Sequence, residues 1–388
     1  MSNTRELDVV HHVAFNNQQT MFAIASDRGV RRFNVKGLEQ VMHLDFVTVG
    51  SIKRVAIYDN SGLIAMQSGG YRPKFSQSSV VVWDDSPDRR GYYVDAVVKS
   101  DVTNFAMTRT KLVVFDATHL TVFHFDTCQK LCCVDISYNA DGVMALCTDP
   151  KSELLAYPGF NQGTVQLVNV GNVTTTTSIS PTGIQAHKSQ VTQMTLNVQG
   201  TMLATGSVKG TIIRVFDTNK RTELFSFRRG IDTCSLSSLR FSPCLSFLAV
   251  SSDKGTIHVF ELEKNDDRSV LDKNIFERIS GSEASRNIAQ FTLPSEAEIA
   301  FGSLNDVQMA PEIADDLLLS VDSVKLSENG RSSFHAHINP LNKLKNKGII
   351  AIYKGWDFYM FSDPGKEWTF YENLYSSALE QFFFRPLV

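Results

Sequence analysis

Short runs in which apolar and polar residues alternate dominate the chain, and Gly, Asn, Asp and Ser separate them. A period of two marks a strand whose two faces meet different surroundings. Helical periodicity is scarce. Seven runs resemble one another: 29–35, 79–84, 119–125, 163–168, 210–218, 255–260 and 355–361. Their starts are spaced by 50, 40, 44, 47, 45 and 100 residues. A period of about 40–45 with four short strands per unit is the signature of a WD-type β-propeller. A second apolar strand precedes the clearest copies, at 202–205 before Gly210 and at 247–251 before Gly255, and completes a hairpin. Trp83-Asp84 and Phe216-Asp217 stand where such a repeat places its Trp-Asp pair. The predicted fold is all-β, a seven-bladed propeller, with residues 1–388 forming one domain. Closing the ring leaves only short, protected strand edges.

The long final interval holds two stretches poor in apolar residues. One, about 263–286, follows the third strand of the sixth blade. The other, about 303–347, falls inside the seventh and reads as disordered, since long loops in compact domains are functional or unstructured.

Composition narrows the classes further. The 388 residues are 43% apolar and 20% charged, with a net charge of -3. These values exclude collagen, a disordered tail protein and a disulfide miniprotein. The near-neutral balance argues against nucleic acid as a partner. Six unevenly spaced cysteines make neither a disulfide framework nor a zinc site. The first ten residues lack the apolar core of a signal peptide. No run of about 18 apolar residues is available to span a membrane. The Asn172-Val173-Thr174 sequon then reads as chance. No nucleophile elbow, phosphate-cradling loop or zinc-protease motif occurs. His11-His12 and His335-x-His337 match no metal-ligand motif and read as strand or loop histidines. The expectation is a protein without catalysis, metal or cofactor.

The informative segment is 224–230, Leu-Phe-Ser-Phe-Arg-Arg-Gly, predicted as the outermost strand of the fifth blade. Successive strand side chains point to opposite faces, so Arg228 and Arg229 are expected in two different crevices. The alternative is a pair of rim arginines facing solvent or Glu223. The neighbouring repeats carry similar chemistry. Ser207-Val208-Lys209-Gly210-Thr211 and Ser252-Asp253-Lys254-Gly255-Thr256 are one motif written twice. Hydroxyls, an imidazole and a guanidinium together suit a phosphorylated sugar-like head group.

Phe227-Arg228-Arg229-Gly230 resembles the Phe/Leu-Arg-Arg-Gly motif of the PROPPIN (WIPI-type) family of β-propellers, which bind phosphatidylinositol 3-phosphate and 3,5-bisphosphate in autophagy. Segments 186–189, 210–218 and 247–260 are similar too, and Pro73-Lys74-Phe75-Ser76 points to the WIPI three/four branch. The resemblance implies a first head-group site of His187, Thr205, Ser207, Gly210, Thr211, Arg214 and Arg228. It implies a second of Arg229, Ser251, Ser252, Thr256 and His258. Thr205 replaces a usual serine, and Val208 stands where the family usually has a polar residue.

In that family the loop between the third and fourth strands of the sixth blade dips into the bilayer. Here Leu271, Ile275, Phe276 and Ile279 fall on one face of a short predicted helix in it. The implied protein partner is a rod-shaped lipid-transfer scaffold of autophagy docking on blades 1–3, with Asn16, Gln18, Pro73 and Lys74 as candidate contacts. The expected protein is a cytoplasmic monomer, peripheral on phagophore and endosomal membranes. The rival reading is a protein-interaction propeller without lipid binding.

Overall fold

The computed structural model describes residues 9–35, 39–176, 181–262, 289–292, 297–303, 347–353, 358–362 and 369–370. These residues form seven four-stranded sheets, each a meander whose neighbours in sequence are neighbours in the sheet. The first holds β1 (Val10–Phe15), β2 (Met21–Ser26), β3 (Gly29–Asn34) and β4 (Gln40–Asp45). One helical turn, α1 (Phe46–Val49), leads to the second sheet, β5 (Gly50–Ile57), β6 (Leu63–Pro73), β7 (Ser79–Asp84) and β8 (Gly91–Val97). The third is β9 (Val102–Met107), β10 (Lys111–Asp116), β11 (His119–His124) and β12 (Lys130–Asp135). The fourth is β13 (Ala145–Leu146), β14 (Leu154–Pro158), β15 (Thr164–Asn169) and β16 (Thr182–Gln185). The fifth is β17 (Val191–Leu196), β18 (Met202–Ser207), β19 (Ile212–Asp217) and β20 (Glu223–Arg228). The sixth is β21 (Leu236–Phe241), β22 (Phe247–Ser252), β23 (Thr256–Glu261) and β24 (Ala289–Thr292). The last is β25 (Ala297–Ser303), β26 (Lys347–Tyr353), β27 (Phe358–Ser362) and β28 (Thr369–Phe370).

Each run read from the sequence as a repeat falls on the third strand of a sheet. The segments around 263–286 and 303–347 separate β23 from β24 and β25 from β26. Leu271, Ile275, Phe276 and Ile279, and most of the second stretch, lie outside the described residues.

The apolar core is a series of slabs between neighbouring sheets. Val80 and Val82 of the second sheet meet Phe105 and Leu112 of the third. Leu203 and Phe216 of the fifth meet Val165 and Leu167 of the fourth. From its other face Ala204, Ile213, Val215 and Phe227 meet Leu248, Val250 and Phe260 of the sixth. Both faces of a sheet are therefore apolar inside, which is why β2, β10 and β22 are buried along their whole length. The seven first strands surround one cavity of about 220 Å³, lined among others by His12, Val55, Phe105, Leu146, Met194 and Arg240. Sheets arranged radially around a central channel make the fold an all-β propeller.

The turn between β1 and β2 seals one mouth of that channel. Asn16 donates to the Asp59 carbonyl at 3.3 Å and to Asn60 at 3.2 Å, both beside the second sheet. Asn17 reaches the far side, donating to Thr148 Oγ1 at 2.7 Å and to the Leu146 carbonyl at 3.3 Å. The Gln19 amide donates to the Phe241 carbonyl at 2.9 Å and accepts from the Phe301 N–H at 2.7 Å. One turn thus ties the first sheet to the second, fourth, sixth and seventh.

Candidate functional site

β20 is the outer strand of the fifth sheet, and its register settles where its side chains point. Arg228 pairs with Ile212 and Ser226 with Arg214. Arg214 in turn pairs with Thr205. Directly paired residues share a face, as do residues two apart. Thr205, Ser207, Arg214 and Arg228 are therefore on the face whose inner part, Leu203 and Phe216, packs on the fourth sheet. Phe227 is on the other face, 1% exposed and stacked on Phe260 of the sixth sheet with centroids 4.8 Å apart. Arg229 follows on Phe227's side. The two arginines straddle the sheet, one toward each neighbour.

In the first cleft His187 and Thr205 are buried, and the His187 Nε2 to Thr205 Oγ1 distance is 3.0 Å. Arg214 donates from Nη1 to the Ala186 carbonyl at 2.6 Å, and its Nε lies 3.4 Å from the Glu223 carboxylate. Burial, then the Arg214 charge, brings the His187 pKa down to about 4, so the ring is neutral near pH 7. Arg228 is exposed. Its side chain makes no hydrogen bond or ion pair among the described residues, and Glu223 lies against Arg214.

The second cleft is built from β22 and β23. Val250 pairs with His258 and packs on the fifth sheet, so Ser252, Thr256 and His258 face Arg229. Ser252 and Thr256 hydroxyls are 2.9 Å apart. His258 is 4% exposed, and neither ring nitrogen has a partner among the described residues. Burial and then Arg229 lower its pKa to about 4. Arg229 itself is anchored: Nε donates to the Gly210 carbonyl at 2.8 Å, Nη2 to the Asp232 carbonyl at 2.5 Å, and its backbone N–H to Thr211 at 2.9 Å.

Three assignments change. Ser251 does not face this cleft: alternation turns it to the other side of the sixth sheet, where it donates to the Ala297 carbonyl at 2.7 Å. Gly210 and Thr211, expected in the first cleft, give their carbonyls to the arginine of the second. Gly210 has φ +61°, and a Cβ there would lie 2.2 Å from the Cys234 carbonyl, so the turn has no room for a side chain. Cys234, counted in the sequence among the six cysteines but given no place at the site, is buried beside Arg229 with its thiol 3.7 Å from the Gly210 carbonyl. Burial raises its pKa. A cysteine in a connection between strands carries no periodic signal that would have marked it.

The expected partner contacts do not form one surface. Asn16 is 1% exposed and belongs to the channel seal; Gln18, beside it, is exposed. Pro73 and Lys74 are exposed, and Lys74 donates to the Thr48 carbonyl at 2.6 Å. In a four-stranded meander the first and second turns lie at opposite ends. Asn16 and Gln18 occupy a first turn and Lys74 a second, on opposite faces of the ring. Of the two N-terminal histidines, His11 pairs with Asp27 at 2.8 Å. His12 lines the channel, where burial and then Arg54 lower its pKa to about 3. No helix among the described residues is long and apolar enough to cross a membrane.

Radial sheets with this repeat define a WD-type β-propeller. A family model described as PROPPIN matches residues 9–274. Ectopic P granules protein 6 of Caenorhabditis elegans is 33% identical over 308 residues, covering 78% of each chain. The chain belongs to the PROPPIN family. The fold is similar to that of Kluyveromyces lactis Hsv2, with a TM-score of 0.67, 21% identity, and 95% of this chain and 98% of that one covered. It is also similar to a chain in the complex of KlAtg21 with the coiled coil of AgAtg16, with a TM-score of 0.63, 18% identity, and 94% and 98% covered.

Proposed function

We propose that this chain is a seven-bladed, phosphoinositide-binding effector of autophagosome formation. It takes the head groups of phosphatidylinositol 3-phosphate and 3,5-bisphosphate in the two clefts beside the fifth sheet. The observation that carries the reading is the straddling arginine pair. Each arginine lies on a face that carries hydroxyls and a buried neutral imidazole, the Arg228 side chain has no partner among the described residues, and His258 has two open ring nitrogens. Buried polar groups are normally satisfied, and those left open are groups an incoming ligand can pair. A phosphate supplies the acceptors that both arginines and both imidazoles can use. Its negative charge also favours proton uptake by the histidines.

Two clefts on one rim act together on a membrane. Once one head group is held, the second binds within the same complex, and avidity exceeds either affinity by about 10²–10⁴. Leu271, Ile275, Phe276 and Ile279 then enter the bilayer beside them. The protein works as a monomer in the cytoplasm, peripheral on phagophore and endosomal membranes.

The same chain recruits a protein, a lipid-transfer scaffold of autophagy, through the blades that carry Pro73 and Lys74. The relative solved with a coiled coil supports a partner-binding role. Flotation with liposomes that contain or lack phosphatidylinositol 3-phosphate tests the reading. Flotation only with the lipid is expected. Equal recovery on both vesicles, with a protein partner still bound, overturns lipid recognition and leaves a pure protein scaffold.

A further inference from the structure

Two large apolar side chains stand in the open beside the arginine pair. Ile231 is 81% exposed and Val208 56%. They sit on separate loops, the β18–β19 turn and the connection from β20 to β21. Three hydrogen bonds join these loops, and a fourth braces the second of them, to make one knuckle. The Arg229 N–H donates to Thr211 at 2.9 Å, the Cys234 N–H to Lys209 at 3.2 Å, and the Arg229 side chain to Gly210 and Asp232. Arg229 thus has two tasks, facing the second cleft and clamping the knuckle. The apolar tips are held in water by a built structure, which costs free energy unless something covers them.

The charges around the knuckle say what covers it. Lys188, Lys209, Arg228 and Lys254 are exposed around it. The carboxylates exposed near it are those of Asp232 and Asp253. Apolar tips ringed by a cationic excess match a bilayer with anionic head groups, where the tips enter the acyl boundary and the cations stay at head-group level.

We propose that Val208 and Ile231 form a rigid membrane wedge, separate from the head-group contacts and from the segment 263–286. The proposal rests on the phosphoinositide reading and adds a second apolar contact to it. β23 starts at Thr256 near the knuckle and ends at Glu261, from which 263–286 departs. The wedge therefore lies at one end of β23, and that segment leaves the chain's described part from the other. Val208, a departure from the family's polar residue, then has a purpose in this chain.

The experiment compares wild type with Val208→Ser/Ile231→Ser on two probes. One is phosphatidylcholine vesicles carrying phosphatidylinositol 3-phosphate; the other is the soluble short-chain form of that lipid. Vesicle affinity is expected to fall about tenfold, equivalent to about 1.4 kcal/mol, with the soluble form bound as before. Ile231→Trp is expected to blue-shift on these vesicles and to be quenched by brominated acyl chains. Unchanged vesicle affinity in the double variant, or a tryptophan that brominated lipid does not quench, overturns the wedge while soluble binding upholds the clefts. An equal loss on both probes also overturns it and makes the knuckle part of a head-group site. A wild type that binds neither probe overturns the phosphoinositide reading itself, and the wedge with it.

Discussion

Two polar clusters, the turn at 16–20 and the clefts beside β20, are built from similar chemistry and differ in how their hydrogen bonds end. In the turn, the Asn16, Asn17 and Gln19 amides each find protein partners, some more than two hundred residues away. In the clefts, Arg228 and both His258 nitrogens find none among the described residues. The first cluster is finished by the fold; the second keeps an exposed arginine and a buried imidazole that the described residues leave open. Burial alone does not separate the two, since Asn16 is 1% exposed and His258 4%. Satisfaction does.

The largest effect expected from this contrast is on binding. Each charge-assisted set of hydrogen bonds contributes about 1.5–3 kcal/mol. Arg228→Thr or Arg229→Thr alone should weaken its own cleft by about ten- to a hundredfold. The double change should abolish liposome flotation. If either single change removes all soluble head-group binding, the clefts are not independent. The turn should answer in stability instead. Gln19→Leu leaves the Phe241 carbonyl and Phe301 N–H unpaired, a loss of about 2–4 kcal/mol in denaturant unfolding. Its head-group affinity should be unchanged at temperatures where it is folded.

Acidification makes a somewhat smaller test. His187 and His258 take a proton near pH 6.5 when unfolded but only near about 4 when folded. The unfolded chain then binds more protons between these values, so stability is full above about pH 6.5 and falls as pH drops toward 4. By linkage each ring should remove about 2 kcal/mol between pH 7 and 5, measurable by urea unfolding at the two pH values. Phe at either position should flatten the slope. At pH 7 the two replacements should part company. His187→Phe loses the Thr205 contact and costs about 1 kcal/mol, whereas His258→Phe removes unsatisfied nitrogens and leaves stability equal or higher. A large loss for His258→Phe would show that the ring is satisfied after all.

The smallest expected difference concerns the arginines as structural residues. Arg229→Thr gives up two side-chain bonds to carbonyls and should lower the melting temperature by a degree or two, from about 1 kcal/mol. Arg228→Thr should not move it.

The period-two pattern was enough to send Arg228 and Arg229 to opposite faces, and the repeat spacing placed every third strand. Two things were not legible. The copies at Ser207 and Ser252 read alike, yet the hairpin in the fifth sheet is one residue longer: Gly206 pairs with Ile213, but Ser251 with Ile257. A one-residue slip reverses every side chain. That is why Thr256 lies on the face of Ser252, whereas Thr211, its counterpart in the aligned copy, turns away from the face of Ser207. Asn16 was misplaced for another reason. A polar residue in a turn usually faces solvent, and its partners at 59 and 60 leave no local trace in sequence.

The Gln19 amide also sets a clock. Its partners lie 222 and 282 residues downstream, in the sixth and seventh sheets. At synthesis rates of about 5–20 residues per second, the amide waits about 14–56 s for its last partner to emerge. Earlier sheets can stack in that time, but the ring has no seal until Phe301 leaves the ribosome. A chain truncated before that point keeps an open first blade, and chaperones that hold unfinished propellers would meet it there.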